Sequence, residues 1–153
     1  MSEGIITFLA SFLIWVMFAG IFILWLIDGR IKKEVALHAI FGAILAWILT
    51  EMIKNLVPSI RPFDFNGLTP FTLTVPLGGA FPSGHTASAF ALASSIILHK
   101  KTLGIVYLIA AIGVGVGRIF SNVHYPLDIL GGILVGILST YLIRKVHLYR
   151  LLK

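Results

Sequence analysis

Residues 5–27 read IITFLASFLIWVMFAGIFILWLI, 23 consecutive positions without a charge. At 1.5 Å rise per residue a helix of that length crosses a hydrocarbon core of about 30 Å. No basic residue precedes the run and no A-x-A cleavage site follows it, so it reads as a retained membrane helix rather than a cleaved signal. Working outward, four more apolar stretches follow at about residues 34–56, 83–98, 102–120 and 126–146. Each is expected to be helical, because backbone polar groups in lipid must be satisfied within the segment. The fold expected is therefore all-α, an integral membrane bundle of about five transmembrane helices with one long outer loop, in a single domain over 1–153.

Composition agrees. Hydrophobic residues make up 58% of the chain and charged ones 12%, more apolar surface than a soluble domain of 153 residues can hide. With no cysteine, the chain has no disulfide framework, thiolate zinc site or cysteine nucleophile. The net charge of +6 is no signal for nucleic acid, since the basic residues lie in short clusters between apolar runs. Arg30, Lys32, Lys33, Lys100, Lys101, Arg144, Lys145, Arg150 and Lys153, nine of the 12 basic residues, fall on one side if the spans alternate. The positive-inside tendency makes that side cytoplasmic and puts both the N-terminus and the connection 57–82 outside. That connection carries Pro58, Pro62, Pro70, Pro76 and Pro82 and is expected to be irregular. Its phenylalanines, Phe63, Phe65, Phe71 and Phe81, suit either a packed cap over the outer helix ends or a substrate gate. The tail His147 to Lys153 reads as an interfacial anchor.

Charged and polar residues intrude near the outer ends of the later spans. Lys54, Arg61, Ser83, His85, Arg118, His124 and Asp128 come from four segments, yet alternation brings them to one face of the membrane. Ionisable groups at membrane depth are costly, so their convergence is a functional signal. Two arginines and a lysine suit a tetrahedral dianion. Pro82-Ser83-Gly84-His85 opens an apolar span, with Ser83 as N-cap and Gly84 letting a ligand approach the backbone N–H groups at the positive helix end. His124 and Asp128 stand four apart, which on a helix puts them on one face. Asp128 then holds one imidazole nitrogen and leaves the other free to attack, with Pro126 in the first helical turn. His85, protonated beside a phosphate, is placed to give a proton to a leaving oxygen.

Each of these residues also has an ordinary reading taken singly. Lys54 suits a snorkelling helix-end lysine paired with Glu51, Arg61 and Arg118 suit interfacial anchors, and His124 with Asp128 suits a structural hydrogen bond. Gly113-x-Gly115-x-Gly117 lies inside an apolar span and is read as a close helix contact, not a phosphate loop. His38, His99 and His147 lie towards the other side and are read as structural. Three nearby cations disfavour a divalent ion, so neither metal nor cofactor is expected.

Lys54-x6-Arg61-Pro62, Pro82-Ser83-Gly84-His85 and Arg118-x5-His124-x3-Asp128 resemble, in order, the three signature motifs of the type 2 phosphatidic acid phosphatase superfamily. The resemblance spans residues 54–128, and three spaced motifs in order are far more specific than one. It implies a metal-independent lipid phosphatase that forms a phosphohistidine. His124 would be the nucleophile, Asp128 its support and His85 the general acid, while Lys54, Arg61, Ser83, Gly84 and Arg118 would hold the phosphoryl oxygens. The third motif usually has serine before its arginine and here has Gly117, a departure that touches a minor phosphate or packing contact and not the nucleophile. A single outer loop without a visible second domain suits undecaprenyl diphosphate as substrate, ahead of lipid A 1-phosphate, phosphatidylglycerol phosphate or phosphatidic acid. The partner expected is thus a lipid phosphate or diphosphate in the bilayer, with the active site on the outer face of the plasma membrane. A lipid-phosphate-binding or transport protein without catalysis is the competing class, though binding alone needs no nucleophile with an orienting carboxylate.

Overall fold

The computed structural model describes residues 1–27 and 30–145; the expectations for His147, Arg150, Lys153 and the tail lie outside them, as do the side chains of Arg30 and Lys32. The first span is one continuous helical run: α1 (Glu3–Thr7), a π-helical turn (Phe8–Phe12) and α2 (Leu13–Ile27). It is followed by α3 (Arg30–Leu56), the short α4 (Pro62–Asn66), α5 (Gly84–Ile97), α6 (Lys101–Phe120) and α7 (Pro126–Lys145). Among the described residues four helices are long and apolar enough to cross a membrane: Glu3–Leu26, Lys33–Leu56, Lys101–Phe120 and Pro126–Lys145.

The stretch expected as a span at 83–98 is a central helix of 14 residues, about 21 Å long, shorter than those four, and it packs against α3, α6 and α7. Small residues explain its position. Thr86, Ala87, Ala89, Ala91 and Ala93 are buried on it, and Ala36, Ala39, Ala43 and Ala46 recur at helical spacing on α3, so the backbones approach closely. Hydroxyls join the helices: Ser88 Oγ donates to Ala43 O at 3.3 Å, Thr140 Oγ1 to Ala91 O at 3.0 Å and Tyr107 OH to Met17 O at 3.0 Å. Large apolar side chains such as Trp15, Ile109 and Leu134 point outward, where lipid is their natural solvent.

Because α5 is short, its N-terminus is recessed. Built Cβ positions on Gly84 fall against Trp47 and Thr50, and Thr50 lies six residues before the end of α3, about 9 Å along its axis. Gly132, six residues into α7, likewise packs on Ser83 O.

The glycines of α6 are contact points, as read. A Cβ at Gly117 would fall 2.6 Å from Leu9 Cβ and 2.7 Å from Ala10 N, and one at Gly113 would fall 3.2 Å from Leu13 Cδ2. Lys33, Lys100, Lys101, Arg144 and Lys145 all lie at the end of the bundle opposite Lys54, Arg61 and Arg118. His38 and His99 stack there at 5.7 Å, away from the motif residues.

The connection 57–82 is not wholly irregular. Pro62 starts α4 and Gly67, at φ 70°, ends it. The rest is tied over the helix ends: Phe63 N donates to Asn122 O, Phe71 N to Ser121 O and Leu73 N to Ser11 Oγ, each at 3.1 Å. Of the two readings of this loop, the packed cap is the one these bonds describe.

Candidate active site

Six of the predicted residues, Lys54, Arg61, Gly84, His85, Arg118 and His124, line one cavity of about 380 Å³ at the recessed end of α5. Ser83 and Asp128 stand behind its wall, both buried. Ser83 caps α5 as expected, its Oγ accepting from Thr86 N at 3.5 Å and from Thr86 Oγ1 at 3.0 Å, and its own N–H donates to Asp128 O at 3.0 Å. It therefore shapes the helix end and does not face the cavity.

His124 and Asp128 pair, though not as neighbours on a helix face. α7 begins at Pro126, so His124 precedes it and the pair is closed by the turn leading into the helix. Nδ1 lies 3.3 Å from Asp128 Oδ2, which also accepts Tyr125 N–H at 2.8 Å. With Nδ1 as donor, the lone pair resides on Nε2, and Arg61 Nη1 faces it at 3.5 Å. Burial holds the His124 pKa down at about 4; the Asp128 bond opposes this, and the charges of Arg118 and Arg61 reinforce it. The imidazole is neutral at neutral pH, as a nitrogen nucleophile must be.

The cations differ in how they are held. Arg61 gives Nε–H to Gly78 O at 2.9 Å, Nη2 to Leu77 O at 3.3 Å and Gly79 O at 2.9 Å, and Nη1 to Val123 O at 3.1 Å as well as towards His124. It thus clamps the 57–82 connection while presenting its charge to His124. Arg118 Nη1 donates to Ala10 O at 3.2 Å, while its buried Nε has no partner among the described residues. Lys54 Nζ lies 2.7 Å from Glu51 Oε1 and 5.9 Å from the Trp47 ring centre. The ordinary pairing of Lys54 with Glu51 and its place in the cationic cavity thus hold together.

Sequence reasoning missed the other lining residues, Trp47, Glu51, Thr74, Pro76 and Leu77, and the Ala10 carbonyl. Trp47, Glu51 and Lys54 follow one helical face at i, i+4 and i+7, a signal that was available. A second cavity of about 310 Å³, lined by Ile14, Trp15, Phe18, Ala43, Ile44 and Ser88, adjoins the first through Trp47 and His85, which line both. The first is polar and the second apolar, with an imidazole at the boundary.

A cationic pocket around an oriented imidazole, set in a membrane bundle beside an apolar groove, defines a membrane-embedded lipid phosphatase. Residues 35–152 match the model of the PAP2 superfamily, and the chain belongs to that family. It is 30% identical to the bacitracin transport permease protein BcrC of Bacillus licheniformis over 139 residues, 91% of this chain and 68% of that protein. It is 28% identical to the undecaprenyl-diphosphatase of Sulfolobus acidocaldarius over 138 residues, 88% of this chain and 65% of that one. The crystal structure of Aquifex aeolicus LpxE superposes with a TM-score of 0.74 at 27% identity, covering 94% of this chain and 83% of that one.

Proposed function

We propose that the chain hydrolyses a lipid phosphate or diphosphate, with undecaprenyl diphosphate as first substrate, through a phosphohistidine at His124 and on the outer face of the plasma membrane. The observation that carries the mechanism is the His124 geometry: Nδ1 bound to Asp128, Nε2 aimed at a cationic guanidinium. In the first step Nε2 attacks phosphorus in line, the bond from phosphorus to the lipid-linked oxygen breaks, and His85 gives that oxygen its proton. In the second, water attacks the phosphohistidine and passes a proton to His85. The P–N bond breaks, releasing inorganic phosphate and restoring both imidazoles. Lys54, Arg61 and Arg118 stabilise the charge on the equatorial oxygens throughout. The apolar cavity that meets the polar one at His85 supports an amphiphilic substrate: the leaving oxygen sits at the imidazole and the chain it carries continues into the groove. The relative named undecaprenyl-diphosphatase supports a polyprenyl diphosphate ahead of lipid A 1-phosphate, phosphatidylglycerol phosphate or phosphatidic acid.

The test is phosphate release by purified protein from this panel of lipids in a chelator. Undecaprenyl diphosphate is expected to be turned over fastest, and His124→Ala to lose activity by at least about a thousandfold while keeping its thermal unfolding profile. Turnover retained in His124→Ala removes the nucleophile assignment, and activity that needs added magnesium removes the metal-free mechanism.

A further inference from the structure

The polar cavity contains a carboxylate that the chemistry above does not use. Glu51 Oε1 is 2.7 Å from Lys54 Nζ, and both line the cavity with His85, Arg118 and His124. An anion beside a phosphate is repelled by it, so a carboxylate within this pocket calls for a reason. Asp128 has one, since it is buried behind His124 and bonded to it. Glu51 differs: its side chain is 47% exposed, against 12% for Lys54. The ammonium is therefore held inside by a partner that can turn to water. The other cations offer no such exchange. Arg61 has a partner for each of its five N–H donors, four of them backbone carbonyls fixed by the chain. Arg118 has an Nε with none among the described residues. Trp47, one turn before Glu51, lies 5.9 Å from the ammonium and fixes its position whichever anion it serves.

We infer that Glu51 is a displaceable counter-anion that sets the affinity of the site for phosphate. It pairs with Lys54 when no phosphoryl group is present, yields Lys54 to the incoming one, and reclaims it as inorganic phosphate departs. A competing internal anion lowers the apparent affinity for every phosphate by the same factor. The substrate offsets that factor through its apolar chain in the groove; free phosphate has no such contact. Glu51 is thus an affinity-setting residue: it keeps the hold on the inorganic phosphate product weak, while the substrate stays bound through its apolar chain. The inference rests on the lipid phosphatase reading and deepens it.

The experiment uses the full chain in detergent with inorganic phosphate as probe, its binding read by thermal-shift titration, which needs no turnover. Glu51→Gln is expected to tighten phosphate binding by about threefold or more, the scale of a half-exposed ion pair. Glu34→Gln, which removes a carboxylate 17 residues before Glu51 on α3 and about 25 Å away along its axis, is expected to leave it within about a factor of two, because screening weakens remote charges. Glu51→Gln and the parent binding phosphate equally overturns the inference, as does a parent that binds none. Equal tightening in Glu34→Gln also overturns it, by showing a general field and not a pair. Tightening confined to Glu51→Gln, in a protein that hydrolyses no lipid of the panel, would support the counter-anion and overturn the lipid phosphatase reading alone.

Discussion

At the scale of single residues, the protonation of His124 makes the sharpest forecast. Its pKa lies at about 4, below the ordinary 6.5, so the attacking nitrogen is free at neutral pH and becomes blocked only in acid. On the acid side, kcat/KM is expected to fall as the pH drops through about 4, where His124 takes up its proton. The unfolded chain binds that proton more readily than the folded one, so stability also declines as the pH falls below 6.5. Asp128→Asn removes the carboxylate whose hydrogen bond and charge raise this pKa. It should lower kcat by about a hundredfold or more and move the acid limb to lower pH; a limb that moves up in a pH profile of kcat/KM would contradict the assignment. The convergence of the eight motif residues was legible in the sequence, because alternating spans bring their segments to one end of the bundle, where six line the cavity and Ser83 and Asp128 are buried behind it. Glu51 and Trp47 were passed over as lining residues: their spacing with Lys54 marks one face of α3, but only the packed structure shows that this face borders the cavity.

Among the elements, the π-helical turn at Phe8–Phe12 was invisible beforehand. Its residues are ordinary apolar ones, and what favours the wider turn is a contact with α6 far along the chain. There Gly117 lets the backbone of Leu9 and Ala10 come close, and Arg118 takes the Ala10 carbonyl. The glycine that stands where the family usually has serine is thereby explained as packing. Gly117→Ser would press on backbone atoms, with an expected cost of about 1–3 kcal/mol. Thermal unfolding should show a lower Tm, and phosphate binding should weaken because Arg118 loses its support. Gly4→Ser, with open space around it, should change neither; a Gly117→Ser protein as stable as the parent would remove this account. α5 was legible as a helix from its cap and its apolar run. Its place at the centre of the bundle was less so, because an apolar run does not say which neighbours will enclose it.

For the whole molecule, alternation of charge clusters gave the arrangement before any packing was known, because one pattern had to satisfy every span at once. Lys33, Lys100, Lys101, Arg144 and Lys145 at one end and the cavity at the other fit a site on the outer face. The absence of cysteine makes this directly measurable. Leu77→Cys at the site end, 92% exposed, should react with an impermeant thiol reagent in intact spheroplasts, and Lys101→Cys at the other end should not. The opposite pattern would reverse the orientation.

The recessed start of α5 has a further consequence for traffic. A headgroup that reaches Gly84 sits at the bottom of a well with a polar mouth under the 57–82 connection and an apolar side door past Trp47. On the proposed chemistry the two products part there: the lipid slides back into the leaflet through the door, and inorganic phosphate climbs out through the mouth. Hydrolytic water descends by the same mouth, so neither departure obstructs the other.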